Sequence, residues 1–568
     1  MSSDSLVFDM SSMSEGAPSV FLRKDWLSIL DNQNQNYQGN QSSIDTSQLA
    51  NSNKYMNYRE AYLTVPMVLT LTQSVGSVAT FSPNTAATSA DYALGLKNWY
   101  GSIIHSFTLD YNGTTIIQQT PFLPLYNTFK LMTSLSYADI VTQGSTIGFF
   151  PDNGTSFRFG SVADKNSIIG TSNNRNAGSF PVVNGAFNAF DTYNEGLLRR
   201  QQGWNFDLAG LTSETAGDFL GNLVSANNLN LLWKSYIFTK TNSVAAPTTA
   251  QGVFQVAITA QVYLKHIASF FERVPLLKGV FMKLTLNLNQ SSVLFTTSGA
   301  DVYTSCSVQS PLGGVSPLML ASQAAGHGSA CFVEGSYIAS VAIGRTCLNT
   351  SQISGGNVGV SPLGGSIILN VPAYTFNPVF ETSYLSSPVK RIVYTDIYQY
   401  QIVNQIAAGA TYNNLITNGI ANIKSVLVLP FFQSAANGGL SPIASPFDTC
   451  GGGTTSPLCL QTQFNVQISG QNAIYNTERY SYEQFLNQLY GQNAVNGGMT
   501  DGLTSGLIDL KSFEMSYNYY YINVGRMLPV EEAVPKSVNV LGTNTSSKAI
   551  DLFVFIEYGV EVSIDVLT

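Results

Sequence analysis

Few residues of this chain have the types and spacing that catalysis or metal binding requires. The 568 residues include only three histidines, His105, His266 and His327. None has a second histidine, cysteine or carboxylate at the short spacing of a zinc site, and no nucleophile elbow accompanies them. His105 lies within a strand-like run, His266 precedes a helical pattern, and His327 lies among small residues. We therefore interpret all three as structural residues.

The cysteines also lack a ligand pattern. Five are present, at positions 306, 331, 347, 450 and 459, with no Cys-x-x-Cys pair. An odd number without such pairs favours idle or buried thiols in a reducing compartment over a disulfide scaffold. Cys450 and Cys459 flank a glycine-rich loop and could pair in an oxidising medium, a question that the sequence leaves open.

Carboxylates offer one pair of adjacent residues, Glu531 and Glu532. Neighbours in a strand point to opposite faces, whereas glycoside hydrolysis needs two carboxylates across one cleft. Phosphate-binding glycine loops and calcium loops are absent from the sequence. We expect no catalytic, cofactor-binding or metal-binding residue and no enzymatic activity. A glycan-processing enzyme stays an alternative, since two carboxylates distant in sequence can share a cleft.

The composition points to a surface covered by other protein. Charged residues make up 11% of the chain, against about 25% in ordinary soluble proteins. The cores of protein interfaces are similarly depleted in charge. The 32 Phe and 29 Tyr suit either interfaces or strands. A net charge of −8 argues against a dedicated nucleic-acid binder, which needs basic residues to neutralise phosphates.

The N-terminal residues predict no secretory signal. They lack the basic region and the apolar run of a signal peptide, and no window of the sequence reaches 18 apolar residues. We expect a protein that is made and kept inside a cell until it is released.

A faint internal repeat relates the two halves of the chain at a separation of 356 to 357 positions. Each copy reads as a strand, a tight turn with glycine, an isoleucine four places later, and an aromatic-x-x-Phe motif that opens a helical stretch. The matched residues are Phe107 and Phe464, Leu109 and Val466, Tyr111 and Ile468, Gly113 and Gly470, Ile117 and Ile474, Tyr126 and Tyr482, and Phe129 and Phe485. A duplicated β unit favours a role based on shape.

The remaining pattern is mostly β. Alternating apolar residues flank Asn112-Gly113, a pair typical of a hairpin turn, and helical patterns cover 125–134 and 480–491. Strands joined by long loops rather than regular helices predict antiparallel sandwiches. We predict an arm over 1–58, including a short helix or anchoring segment at 20–30. A first sandwich follows over 59–300, with a long loop insertion around 140–230, and a second over 301–568.

Several segments carry a resemblance to a known family. They are DYNGTTIIQQTPFLPLYNTFK, IASFFERVPLLKGVFMKLTLNLNQSSV, NVQISGQNAIYNTERYSYEQFLNQLYG, YYYINVGRMLP and IDLFVFIEYGVEVSIDVLT. In their order and spacing the chain resembles the double jelly-roll major capsid proteins of double-stranded DNA viruses, most of all those of polinton-like viruses and virophages. The resemblance covers nearly the whole chain.

The resemblance implies an all-β fold of two tandem eight-stranded jelly rolls with short helices and long loop insertions. It also implies a homotrimer that forms a pseudo-hexagonal capsomer of an icosahedral capsid. The expected partners are other copies, neighbouring capsomers, penton and minor capsid proteins, and an internal membrane; no sequence-specific nucleic acid and no cofactor are expected. The expected location is the virion, assembled inside the infected host cell.

Two alternatives are binding proteins and membrane barrels. A carbohydrate-binding or adhesin-like β-sandwich protein would normally carry a signal peptide, and so would an outer-membrane barrel. The sequence shows no such peptide, which favours the capsid interpretation.

Overall fold

The structure is a computed structural model of the chain. It describes residues 19–73, 94–151, 182–183, 186–187, 233–241, 250–298, 302–310, 312, 315–320, 335–344, 365–433, 443, 459–474, 479–493, 507–510, 513, 517, 519–524, 532–546 and 548–565.

The described residues are mostly strands, with a few short helices. The strands are β1 (Phe21–Leu30), β2 (Gln41–Asp45), β3 (Tyr55–Met56), β4 (Tyr62–Gln73), β5 (Leu94–Leu96), β6 (Ile104–Tyr111), β7 (Thr114–Ile117), β8 (Val182–Val183), β9 (Ala186–Phe187), β10 (Trp233–Thr241), β11 (Ala250–Tyr263), β12 (Met282–Leu288), β13 (Ser292–Ser298), β14 (Val302–Gln309), β15 (Leu318–Leu320), β16 (Gly335–Ile343), β17 (Ile368–Phe376), β18 (Val389–Ile406), β19 (Thr411–Ile420), β20 (Ile423–Phe432), β21 (Gln461–Ile468), β22 (Gln471–Asn472), β23 (Tyr520–Asn523), β24 (Lys536–Asn544) and β25 (Ile550–Asp565). The helices are α1 (Ser47–Ala50), α2 (Leu123–Ser134), α3 (Tyr137–Ile147), α4 (Leu264–Ile267), α5 (Phe270–Arg273), α6 (Pro378–Leu385) and α7 (Tyr482–Asn493), with a 3-10 helix at Tyr100–Ile103.

Two units with the same strand order follow one another along the chain. In the first unit, called roll 1, one sheet has the order β1-β17-β4-β11 and the other the order β2-β12-β6-β7. In the second unit, called roll 2, the orders are β18-β25-β20-β23 and β19-β24-β21-β22. Every pairing is antiparallel. Eight strands in two sheets of this order form a jelly roll, so the predicted fold class is confirmed.

Roll 1 carries strands that roll 2 lacks within the described residues. Between β12 and β17 the chain adds β13, β14 and β16, which extend the first sheet beside β4, while β15 pairs with β5. Strand β10 extends the same sheet beside β11. Roll 1 is therefore the larger unit, although both have the same eight-stranded frame.

The core of each roll follows from alternation along its strands. In β12 every second residue is buried, from Met282 to Leu288, because successive side chains point to opposite faces of a sheet. In β20, by contrast, buried residues run without a gap from Ser425 to Phe432. Such a run is typical of a strand that is covered on both faces.

The two halves of the internal repeat adopt the same local structure. Asn112 and Gly113 have φ of 45° and 82°, and Ser469 and Gly470 have φ of 51° and 81°. Two consecutive positive φ values are those of the hairpin turn that matches strand twist. The turns join β6 to β7 and β21 to β22, and a helix follows each hairpin, α2 in roll 1 and α7 in roll 2. The predicted hairpin and both predicted helices are confirmed.

The predicted domain boundaries need correction. Strand β17 lies beyond residue 300, yet it fills the slot between β1 and β4 in roll 1. The boundary therefore falls between Phe376 and Val389. Residues 21–56, predicted as an arm, hold β1, β2, α1 and β3 of roll 1. The stretch at 20–30 is a strand rather than a short helix, because Leu27 and Ile29 turn toward the core beside β17.

Much of the predicted loop insertion around 140–230 lies outside the described residues. Its first part is α3, which begins with a capping box between Ser136 and Asp139 and ends at Gly148 in the left-handed conformation. Strands β8 and β9 pair with each other within it.

Candidate interaction surface

The two histidines within the described residues pack against aromatic side chains. His105 is buried, and burial lowers its pKa to about 4. Its ring packs edge-on to Phe122, with the ring centres 5.0 Å apart. Burial likewise lowers the pKa of His266 to about 4, helped by the neighbouring charge of Lys265. Both rings are therefore neutral near pH 7, and His327 lies outside the described residues.

The other candidate groups for chemistry are dispersed. Within the described ranges, no three His, Cys, Asp or Glu side chains lie together as metal ligands would. Glu532 forms an ion pair with Lys424 at 2.9 Å, and Glu531 lies outside the described residues. Cys459 is buried, and Cys450 also lies outside, so their pairing stays a prediction. No helix in the searched part of the chain has the length and apolar character to span a membrane.

The most developed contact surface is the joint between the two rolls. Helix α2 of roll 1 lies on the outer face of roll 2, which we define by Ser425, Tyr521, Phe553, Phe555 and Glu557. Aromatic rings cross the joint with their centres 5.0 to 5.9 Å apart, in the pairs Phe122 and Phe553, Phe129 and Tyr521, and Tyr126 and Phe555. Since all of these rings except that of Phe122 are at most 5% exposed, the centre of the joint is buried.

A buried carboxylate lies in the middle of this joint. Glu557 of β25 accepts hydrogen bonds from Thr395 and Ser425, each at 2.8 Å, and forms an ion pair with Lys130 of α2 at 3.2 Å. Burial alone would raise the pKa of Glu557, but the Lys130 charge and the hydroxyl donors outweigh it and lower that pKa. The carboxylate is therefore charged near neutral pH and fixes α2 in register on roll 2.

A polar seam continues the joint along the edge strand β18. The Tyr394 hydroxyl donates to the Ile116 carbonyl at 2.5 Å, and the Thr120 hydroxyl donates to the Ile397 carbonyl at 2.8 Å. Asp396 accepts from the Gln118 amide at 3.4 Å and from the Tyr558 hydroxyl at 3.2 Å. Burial raises the pKa of Asp396.

A cavity of about 180 Å³ lies within the joint, between α2, α4 and β18. Its lining includes two cations and two carboxyl groups, from Lys130, Lys265, Glu272 and Asp396. The cavity is thus a gap between the rolls where charged groups of both signs meet an otherwise largely apolar lining.

No element among the described residues covers the corresponding outer face of roll 1. We define it by Lys24, Trp26, Tyr62, Tyr263 and Asn370, which lie on four adjacent strands. The Trp26, Tyr62 and Tyr263 rings form a row with successive centres 5.6 Å apart. The Lys24 ammonium lies 5.5 Å from the Trp26 ring centre. Trp26 is 51% exposed, which is unusual for so large an aromatic side chain.

Comparisons with known proteins support the fold alone. No protein-family model and no curated protein matches the chain. Among solved structures it is similar to a chain of the Sputnik virophage determined by cryo-EM, with a TM-score of 0.50 and 11% identity over 98% of this chain and 89% of that chain. The chain has the double jelly-roll fold.

Two further solved structures are similar at lower scores. One is the mavirus major capsid protein, with a TM-score of 0.39 and 9% identity over 98% of this chain and 93% of that chain. The other is the Faustovirus major capsid protein, with a TM-score of 0.42 and 9% identity over 98% of this chain and 92% of that chain.

Sequence reasoning missed the residues that join the two halves of the double jelly roll. Glu557 stands alone in the apolar run LFVFIEYG. A single carboxylate in such a run must be buried and paired, so this signal was present. Its partner Lys130 had no such signal, since it lies within an ordinary helical pattern.

Proposed function

We propose that the protein is the major capsid protein of an icosahedral double-stranded DNA virus and that it self-assembles as a homotrimer. The observation that carries this proposal is the presence of two rolls with the same strand order, held side by side by a buried joint. Three such chains provide six similar units, enough for a pseudo-hexagonal ring. Closed symmetric assembly repeats one contact around an axis. Each chain already contains two similar rolls in contact, so a similar contact between chains would complete the ring.

The surface chemistry supports assembly rather than catalysis. Burial of His105 and partial burial of His266 lower the pKa of both to about 4, so both are neutral near pH 7. The central carboxylate Glu557 is held by Lys130 and two hydroxyl groups. With only 11% charged residues, contacts between copies would be mainly polar and aromatic, and salt would screen them little. Many modest contacts of this kind add up in a shell.

The further partners in this proposal are neighbouring capsomers, penton proteins and minor capsid proteins. An internal membrane is a further candidate on the inner side. We place assembly inside the infected host cell and the mature protein in the virion. The same proposal places the loop insertion around 140–230 on the outer side of the shell and the N-terminal residues on its inner side.

The test is the solution mass of the purified full chain, measured by light scattering over a range of concentrations. We expect three times the chain mass of 61.2 kDa, and electron microscopy should show particles with a hexagonal outline. A chain that stays monomeric at high concentration would contradict the proposal. Because the contact surfaces carry little charge, the trimer should persist when the salt concentration is raised to about 1 M.

A further inference from the structure

The two rolls can be aligned residue by residue through their hydrogen-bonding registers. In roll 1 the Leu264 amide donates to the Ala61 carbonyl at 3.1 Å, just after β11 ends. In roll 2 the Val524 amide donates to the Lys424 carbonyl at 3.0 Å, just after β23 ends. Leu264 therefore matches Val524, and Ala61 matches Lys424.

This alignment places equivalent residues on the outer faces of the two rolls. Tyr62 follows Ala61 and so matches Ser425. Asn370 pairs with Tyr62, and Glu557 pairs with Ser425. Asn370 of roll 1 therefore occupies the position that Glu557, the centre of the joint, occupies in roll 2.

The neighbouring strands agree with this register. Ser28 pairs with Asn370, and Ile397 pairs with Glu557. Two residues earlier on the same strands, Trp26 matches Thr395. Ile368 lies two residues before Asn370, and Phe555 lies two residues before Glu557, so Ile368 matches Phe555. Both residues pair with equivalent positions on the next strand.

The equivalent positions differ strongly in burial. Phe555 and Glu557 are 0% and 3% exposed because α2 covers them. Their counterparts Ile368 and Asn370 are half-buried, and Trp26 is half-exposed. The described residues thus cover the outer face in roll 2 and leave it open in roll 1.

The helices that follow the two hairpins show the complementary difference. Nine of the twelve residues of α2 are buried, since it packs on its own roll and on roll 2. In α7, only Phe485 and Leu489 are buried among residues 482–489, and Glu483 and Asn487 are exposed. Helix α7 of roll 2 therefore lacks, among the described residues, a neighbouring sheet like the one that α2 contacts. The outer sheet face of roll 1 likewise lacks a covering helix there.

We propose that the outer face of roll 1 binds roll 2 of a second copy of this chain, on the side that carries α7. The contact repeats between copies the joint that α2 makes within one copy. Joints within and between chains then alternate around the ring. This inference rests on the proposed self-assembly and names the surface through which it occurs.

The chemistry of the matched residues suits a contact between separately folded copies. The repeat spacing of 356 places Leu486 of α7 at the position of Lys130, and the register places Asn370 at that of Glu557. The charged pair of the internal joint is therefore replaced by an uncharged pair. Removing an ion pair from water is costly, and a contact formed after folding avoids that cost here. Beneath α7, the buried Phe513 packs on Tyr482 and Phe485.

The first experiment compares Trp26→Glu with Leu415→Glu by light scattering. Leu415 is the matched control, since it is a large apolar side chain with 55% exposure, close to the 51% of Trp26, but lies on the other sheet of roll 2. We expect Trp26→Glu to have the mass of one chain and an unchanged circular dichroism spectrum. The control should stay trimeric.

A second experiment guards against a folding defect. The double variant Asn370→Cys/Leu486→Cys places thiols at positions equivalent to the Lys130 and Glu557 groups, which lie 3.2 Å apart. A short bis-maleimide should link separate chains in this variant, giving dimer and trimer bands on a denaturing gel. Neither single variant should give them.

The outcomes separate this inference from the proposed function. A trimeric wild type with a trimeric Trp26→Glu variant and no linkage between chains would overturn the inference alone; another occupant, such as residues 1–18, would then cover the face. A monomeric wild type would overturn the proposed function and the inference with it.

Discussion

Roll 1 and roll 2 share one strand order and differ in what lies on their outer faces. In roll 2 that face is covered by α2, with Glu557 at its centre, whereas in roll 1 it carries a row of aromatic rings that no other described element covers. The frame of a jelly roll is therefore independent of whether its outer face is covered. We expect the amino-acid composition of that face to differ according to whether it becomes covered during folding or afterwards.

The outward-facing residues of the central strands β20 and β4 differ in this way. Outward residues of β20 include Leu427, Leu429 and Phe431, all at most 1% exposed. Outward residues at the start of β4 are Tyr62 and Thr64, which are half-buried. A face buried in every folded molecule can be fully apolar. A face that meets water before assembly keeps polar groups, which limits unwanted association.

The largest expected difference is between Phe555→Ala and Ile368→Ala, which truncate matched positions on the two outer faces. Phe555→Ala should lower the free energy of unfolding by about 3–5 kcal/mol, as for a buried aromatic side chain. Ile368→Ala should cost less, about 1–2 kcal/mol, because part of its side chain is already in contact with water. Urea denaturation in the Trp26→Glu background, expected to be monomeric, measures both. Equal costs would contradict the difference in coverage.

The next effect concerns the centre of the internal joint. Glu557→Gln should lower the free energy of unfolding by about 1–3 kcal/mol at pH 7, because the buried hydroxyl donors lose a charged acceptor. The pKa of Glu557 is lowered in the folded state, so its stabilisation is present above the unfolded pKa of about 4.3 and is lost as the pH falls through the folded pKa.

Urea titrations at pH 7, 5 and 3 test this prediction. The difference in free energy of unfolding between wild type and Glu557→Gln should persist at pH 5 and become smaller at pH 3. The matched control is Asn370→Ala on the open face, which should show a smaller cost and no such narrowing. A gap that widens on acidification would contradict the assigned charge.

Glycine substitutions in the two hairpin turns should have similar effects on stability, because the two turns have the same backbone conformation. Gly113 and Gly470 have φ of 82° and 81°, and an added Cβ would meet no heavy atom within 4 Å. Substitution by alanine therefore costs only backbone strain, about 1–2 kcal/mol in each roll. Thermal unfolding of Gly113→Ala and Gly470→Ala should show similar losses. A large loss in one alone would mean that its turn has a contact outside the described residues.

The smallest expected effect is that of Asp396→Asn in the seam. Burial raises the pKa of Asp396, so the folded wild type gains stability as the pH falls through that pKa toward the unfolded value of about 3.9. The variant should be at least as stable as wild type at pH 7, and any advantage should shrink toward pH 4. Denaturation curves at the two pH values measure this change, and an advantage that grows toward pH 4 would contradict the sign.

Local chemistry allowed part of this structure to be predicted from the sequence. Asn112-Gly113 and the helices after both hairpins follow from turn and helix preferences that act over a few residues. The position of β17 does not, because it depends on the chain returning to β1 and β4 after the strands of an insertion. The sequence between residues 289 and 330 is rich in glycine and serine, and that composition placed the predicted boundary near residue 300. The partner of Glu557 was also hidden, since Lys130 reaches it only through the packing of the rolls.

The pairing of β1 with β17 sets the time at which roll 1 can close. Protein synthesis adds about 5–20 residues per second, so β1 leaves the ribosome about 20–70 s before β17 exists. During that interval β1, with Trp26 and Leu30 exposed, is a strand edge without its native neighbour. Growing chains on one polysome therefore hold similar unsatisfied edges close together, and a binding protein that shields this segment would raise the yield of folded chains.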